Sequence, residues 1–320
     1  MIGGMDRLTV VVVAVGALTA CLAALLATSH EAEAAFPGKN GKIVYTKRVY
    51  EEGINDGIFS VNADGTGEKR LTNTANGYSV EPSYSADGTK IAWNRNADIW
   101  IMDADGTDKR RLTGGPADDG EPAFSPDGRA VAFTRYTPET GQRDIYIKSI
   151  SGSLRRVTND EDREGSLSFG PNGYRIAYTI SEAVPGACGG CIYPSEVATV
   201  RTDGTDRKIV TDAPGDSEAS DPDWSPDGRT LAYTFYDIGS EQGRIETVRA
   251  DGTGQQTVFS QDSGDPTFSP DGTKIAFVRW GWPGGIWTIN PDGTKLTSVI
   301  GSPQALETEP TWGKSPQAGR

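Results

Sequence analysis

Three groups of residues in this 320-residue sequence are of types that do chemistry. The first is a set of acids, Glu81, Glu121, Asp221, Asp265 and Glu309, each followed by proline and each heading the same short phrase. Carboxylates recurring at equivalent places repel one another if the fold gathers them, unless a cation, water or a basic partner relieves the charge. They are candidate binding residues; no cofactor is expected, and if calcium binds, Glu121, Asp221 and Asp265 are the candidate ligands. The bland alternative is that acid-Pro pairs orient strands by hydrogen bonding to neighbouring backbone. The second group is Cys188-Gly-Gly-Cys191, whose spacing of two allows a redox pair, half a zinc site or a small disulfide. No other Cys or His follows residue 34 to complete a zinc site, and in an exported chain a disulfide between Cys188 and Cys191 is the expected form. The third is Arg279-Trp-Gly-Trp-Pro-Gly-Gly285, where Trp280 and Trp282 could stack on a sugar ring, grip a peptide, or pack against neighbouring structure.

Several function classes fall away on composition. The chain has 44 Asp and Glu against 31 Lys and Arg, a net charge of −13, which argues against a nucleic-acid partner because phosphate binding needs clustered cations. Its single histidine, His30, precedes the folded region, and there is no Gly-x-Ser-x-Gly, so a Ser-His-Asp hydrolase is excluded. A glycosidase-like pair of carboxylates stays open, since only their separation would decide. Asp103-Ala-Asp-Gly-Thr-Asp108 fails as a calcium loop because Gly106 is fourth, where an EF-hand needs glycine sixth. Similar Asp-Gly-Thr steps at Asp64, Asp203, Asp251 and Asp292 are hairpin turns on this reading.

The elements that position these residues are repeats. Glu81-Pro-Ser-Tyr-Ser-Ala-Asp-Gly-Thr-Lys-Ile-Ala-Trp93 recurs from Glu121 to Phe133, Asp221 to Tyr233 and Asp265 to Phe277, with a weaker copy from Ser166 to Tyr178. The turn glycines Gly88, Gly128, Gly173, Gly228 and Gly272 are spaced by 40, 45, 55 and 44 residues, the period of a four-stranded propeller blade. Within a unit, a strand after the acid-Pro pair leads through Ser-Pro-Asp-Gly into Lys-Ile-Ala-Phe. An alternating third strand such as Asp98 to Asp103 and a fourth carrying Arg-Leu-Thr complete it. Residues 37–45 supply a turn and second strand without a first, and Glu309-Pro-Thr-Trp312 supplies a first strand without a second. The fold expected is therefore all-β, a six-bladed β-propeller closed by pairing of 309–312 with 42–46, spanning 35–314 and followed by a disordered tail, 315–320.

These phrases resemble the TolB-type family of six-bladed propellers, whose hallmark is Pro-x-Trp/Phe-Ser-Pro-Asp-Gly followed by a Lys/Arg-Ile-Ala-Phe/Tyr strand. The resemblance covers nearly all of residues 36–313 but not the separate N-terminal domain of that family, and it implies a protein-binding platform in the cell envelope. Ahead of the repeats, Arg7, the apolar run Leu8 to Ala27 and Ala32-Glu-Ala34 are read as a cleaved export signal, 1–34. The alternatives are an anchor retained through residues 8–27 or lipidation at Cys21. Cleavage removes three acids and one base, so the net charge of −13 becomes −11.

The function expected is that of an exported, monomeric, non-catalytic propeller, secreted or held in the envelope or periplasm, that binds a protein or peptide through a basic segment. Its competitor is a metal-assisted or carboxylate enzyme, or a carbohydrate binder, at the channel mouth. The innermost strands begin on the face that carries the blade-linking loops, so the five acids, with Ser166 as sixth, should circle one mouth of the channel. The loops add Asp118, Asp119, Asp160, Glu161, Asp162, Glu164, Asp216, Glu218 and Asp262, which would make that face strongly anionic.

Overall fold

Alternating side chains in the repeats make strands whose two faces differ, and the structure, a computed structural model, shows what each face meets. It describes residues 38–49, 55–73, 77–181, 194–215, 217–281, 284–302 and 305–316. The expected leader, Cys188, Cys191, Trp282 and Asp216 lie outside the described residues. The described strands pair antiparallel in six consecutive sets of four, and single parallel bridges, Arg143 with Arg163 and Ser195 with Glu218, join three of these sets into one twelve-stranded sheet. Counting from the N-terminal end, the innermost strands of blades two to six are Ser79–Tyr84, Asp118–Phe124, Arg163–Phe169, Ser217–Trp224 and Ser263–Phe268.

The first blade is completed from the other end of the chain. Ala305–Lys314 pairs antiparallel with Asn40–Val49, placing Val44 opposite Thr311 and Ile43 opposite Trp312. The pairing runs beyond the 309–312 segment expected from the sequence, to Val49 against Ala305 and Asn40 against Lys314. Ser315 N donates to Lys39 O at 2.9 Å, so the start of the expected tail is held by backbone. The second-blade turn closes on the same strand: a Cβ on Gly88, whose φ is +70°, would stand 1.9 Å from Lys314 O. The innermost strands touch their neighbours in one unbroken circuit, with Ala305–Lys314 bridging the sixth blade and Ser79–Tyr84.

The Ile-Ala-Phe phrase explains how blades stack. Ile91 and Trp93 pack on the first blade's Val44, Ile58 and Leu71, while Ala92 between them faces Phe124 and Phe133 of the third. The same division recurs at four further joints, where Ala132, Ala177, Ala232 and Ala276 receive the next blade's aromatic rings, while in the first blade Val44 stands in the alanine's place. At the last joint Ala276 and Ile286 meet Ile43, Tyr45 and Trp312. The core is thus six apolar layers between blades, and the axis is lined by carboxylates and hydroxyls together with prolines and Leu167.

Other repeated residues serve the backbone. The Thr of Arg-Leu-Thr accepts a buried third-strand N–H, from Ile58 to Thr72 and from Ile99 to Thr113 at 2.9 Å each and from Ile145 to Thr158 at 2.8 Å. In the Asp-Gly-Thr turns Asp105 Oδ1 accepts both the N–H and the hydroxyl of Thr107, and Asp64, Asp203, Asp251 and Asp292 do the same for their threonines. These residues are turns, as their spacing indicated.

Candidate functional site

The acids at the head of each innermost strand sit where the strand is deformed. Glu81, Glu121, Ser166, Asp221, Asp265 and Glu309 all adopt φ between +47° and +56°, a left-handed conformation rare in residues with a side chain. Beside each of the five in blades two to six, the ladder to the second strand shifts register. Six such residues cost of order 1–3 kcal/mol each, which surrounding bonds must offset.

Those bonds join the blades into a belt. Glu309 N donates to Asp265 Oδ2 at 3.0 Å, Glu81 N to Glu309 Oε2 at 2.8 Å, and Glu121 N to Glu81 Oε2 at 2.6 Å. The backbone N–H of Ser166 continues the series onto Glu121. At the other two joints threonine hydroxyls replace the acid, Thr179 accepting from Asp221 N at 3.1 Å and Thr234 from Asp265 N at 3.0 Å. Asp221 instead takes the hydroxyls of Ser166 and Ser220, each at 2.7 Å. The acid-Pro pairs therefore orient the neighbouring strand's backbone, through Glu81, Glu121, Asp265 and Glu309.

All five acids and Ser166 line one cavity of about 530 Å3 along the ring axis. Below them lies a sixth carboxylate, Asp223, which accepts from Ser168 Oγ and Phe268 N at 2.8 Å each and is pushed up in pKa by burial. Among the described residues Lys314, near the opposite end, is the one cation lining the cavity, while Arg143 approaches Glu121 at 3.9 Å from outside. Burial and the neighbouring charge of Glu81 push the Glu309 carboxyl up to about 7. Glu121 and Asp265 are raised too, by burial and by the charges of Glu81 and Asp221 respectively. Trp280 lines the same cavity. Its ring lies so close over the backbone that a Cβ on Gly264 would come within 2.6 Å of it and one on Gly243 within 2.4 Å.

The linking-loop acids are less free than their number suggested. Asp119 is buried in a two-bond pair with Arg135, at 2.6 and 2.8 Å. Asp160 and Asp162 share Arg207, at 2.8 and 2.6 Å, and Asp262 accepts Gly243 N at 3.1 Å. Asp118 and Glu161 remain exposed on the loops. Glu164 differs from its counterparts: it is 1% exposed, both oxygens lack a hydrogen-bond partner, and burial with the charges of Asp160 and Asp144 pushes its carboxyl up to about 9. Sequence reasoning placed Glu164 only among the acids of the linking loops and gave Asp223 no role, although it lies within the repeated phrase that begins at Asp221. Among the described residues no group of three or more carboxylates, histidines or cysteines is arranged to hold a metal ion.

A closed ring of six four-stranded blades around a carboxylate-lined channel is a β-propeller. No protein-family model matches the sequence. An uncharacterized protein of Agrobacterium fabrum is 25% identical over 231 residues, covering 67% of this chain and 72% of its own length. A TolB homolog of Chlorobium luteolum is 31% identical over 150 residues, 45% of this chain, and an uncharacterized peptidase of Bacillus subtilis is 30% identical over 209, or 62%. The chain spans only 31% and 29% of the length of those two relatives. Among solved structures, TolB from Acinetobacter baumannii superposes with a TM-score of 0.70 at 20% identity, over 89% of this chain and 70% of that one. An oligogalacturonate lyase in complex with manganese gives 0.56 at 12% identity, over 82% and 86%. The fold is therefore similar to the propeller of TolB from Acinetobacter baumannii.

Proposed function

We propose that this chain is an exported, non-catalytic propeller whose acidic channel mouth receives a basic segment of a protein or peptide. One observation carries the reading: six carboxylates line a single cavity in which, among the described residues, the one lining cation lies near the far end. The belt spends part of their hydrogen-bonding capacity and leaves their charge, so a lysine or arginine chain entering the mouth would relieve repulsion that the fold leaves uncompensated. The TolB-like fold, and the name of the Chlorobium relative, support a binding role in the cell envelope. Residues 1–34, with their basic, apolar and small-residue order, support export. Among the described residues no helix is long and apolar enough to cross a membrane.

Calcium is the competing occupant, and two titrations separate the readings. On the docking reading an oligolysine peptide binds the purified protein, more tightly at pH 8 than at pH 6 as the ring carboxyls ionise, and more weakly in high salt. Glu81→Gln with Glu309→Gln weakens that binding, while calcium leaves the thermal midpoint unmoved. A large calcium-induced rise, abolished by Glu121→Ala and Asp265→Ala, together with no peptide binding, would replace docking by a metal site.

A further inference from the structure

The fourth blade breaks the repeat at its turn. Where the regular units have Ser and Asp, at Ser85 and Asp87, Ser125 and Asp127, Ser225 and Asp227, and Ser269 and Asp271, this unit has Gly170 and Asn172. In each regular turn the serine hydroxyl donates to the aspartate and so fixes a carboxylate there, at 2.6 to 2.7 Å. In the fourth blade both the hydroxyl and the negative charge are gone, and a cavity of about 150 Å3 lies between this turn and the fifth blade, lined by Gly170, Asn172, Arg175, Lys208 and Trp224 among others.

What surrounds that cavity is donor-rich and cationic. Trp224 is 8% exposed, and its buried indole Nε1 has no hydrogen-bond partner. Its Cε2, the carbon bearing that nitrogen, is 3.6 Å from where a Gly170 Cβ would stand, which sets the indole ring against the fourth-blade turn. The equivalent indole of Trp312 is satisfied, donating to Gly41 O at 3.3 Å, and the other unpartnered indoles, Trp93 and Trp287, line neither cavity. Asn172 Oδ1 is engaged by Tyr174 N at 3.0 Å, which orients its amide N–H groups as donors. Arg175, Arg201 and Lys208 gather around Asp206, Arg201 at 3.7 Å and Lys208 at 3.8 Å, and Asp203 adds a second carboxylate near Arg201, which leaves one positive charge in excess. In a chain of net charge −13 this is a local inversion of sign.

We propose that this cavity binds a small tetrahedral oxyanion, phosphate or sulfate, free or as the end group of a larger molecule. Trp224 Nε1 and the Asn172 amide donate to it, and Lys208 and Arg175 supply charge. Apart from Trp224, which also lines the channel, the residues around this cavity are separate from those of the channel. The test is calorimetric titration of the full chain with inorganic phosphate and with glycerol 3-phosphate, against chloride at matched ionic strength. Saturable binding of the free ion, or of the monoester alone, supports the site and tells which source it accepts. Trp224→Phe, which keeps a ring but removes the N–H, weakens binding by roughly tenfold, the effect of one hydrogen bond to a charged ligand. Lys208→Gln weakens it as well, Gly170→Ser with Asn172→Asp abolishes it, and Trp312→Phe leaves it unchanged. Neither ligand binding, or binding unaltered in Trp224→Phe and Lys208→Gln, overturns the proposal.

Discussion

The contrast between Asp119 and Glu164 shows how little a residue's type says before its neighbours are known. Both precede their blade's channel residue by two positions and both are 1% exposed. Asp119 lies opposite Arg135 in the strand register, whereas Glu164 lies opposite Ile180. Removing one member of a buried pair strands the other's charge, so Asp119→Ala should cost about 3–5 kcal/mol. Glu164 has no such partner, and Glu164→Leu should stabilise by about 1–3 kcal/mol, the cost of a buried polar group left unsatisfied. Urea unfolding of the two variants measures both, and a destabilised Glu164→Leu would mean that the carboxyl has a role in the native state that burial alone does not reveal.

At the level of elements, the closing strand decides whether the blades form a ring. Trp312 belongs to the apolar layer between the sixth and first blades and is 8% exposed. Trp312→Ala should cost about 3–5 kcal/mol, and amide exchange should quicken first in Asn40–Val49 and Ala305–Lys314. Uniform exchange changes across all blades would argue against a local latch. Much of this was legible before any coordinates: the repeat marked turns, second strands and the split first blade, because Pro-Asp-Gly and Ile-Ala-Phe are local signals of turn and stacking. The left-handed backbone of Glu81 and its equivalents was not legible, since no local preference selects it and only belt bonds from the adjacent blade hold it. Nor was the neutralisation of Asp119, Asp160 and Asp162, which depends on register and loop packing. The fourth-blade departure at Gly170 and Asn172 was visible as a weaker repeat, but its consequence needed the position of Trp224.

For the whole molecule, the channel couples fold and function through protons. Glu309, Glu121 and Asp265 bind their protons more tightly in the folded chain than in the unfolded one, so from the ordinary carboxylate range up to about pH 7 the folded state carries more protons and these groups make stability fall as pH rises. Glu309→Gln keeps an acceptor for Glu81 N and lacks the charge. Its thermal midpoint should exceed the parent's at pH 8, and the gap should close by about pH 4, where the parent's carboxyl is protonated in both states. The convergence of distant carboxylates on one axis is what the ring, the belt and the docking reading share. It is tested most directly by following side-chain carboxyl 13C shifts of uniformly labelled protein from pH 3 to pH 9. A subset of Asp and Glu signals titrating near pH 7, with the Glu309 signal absent from Glu309→Gln, is the predicted result; titration of Glu309, Glu121 and Asp265 at ordinary carboxylate values would contradict it.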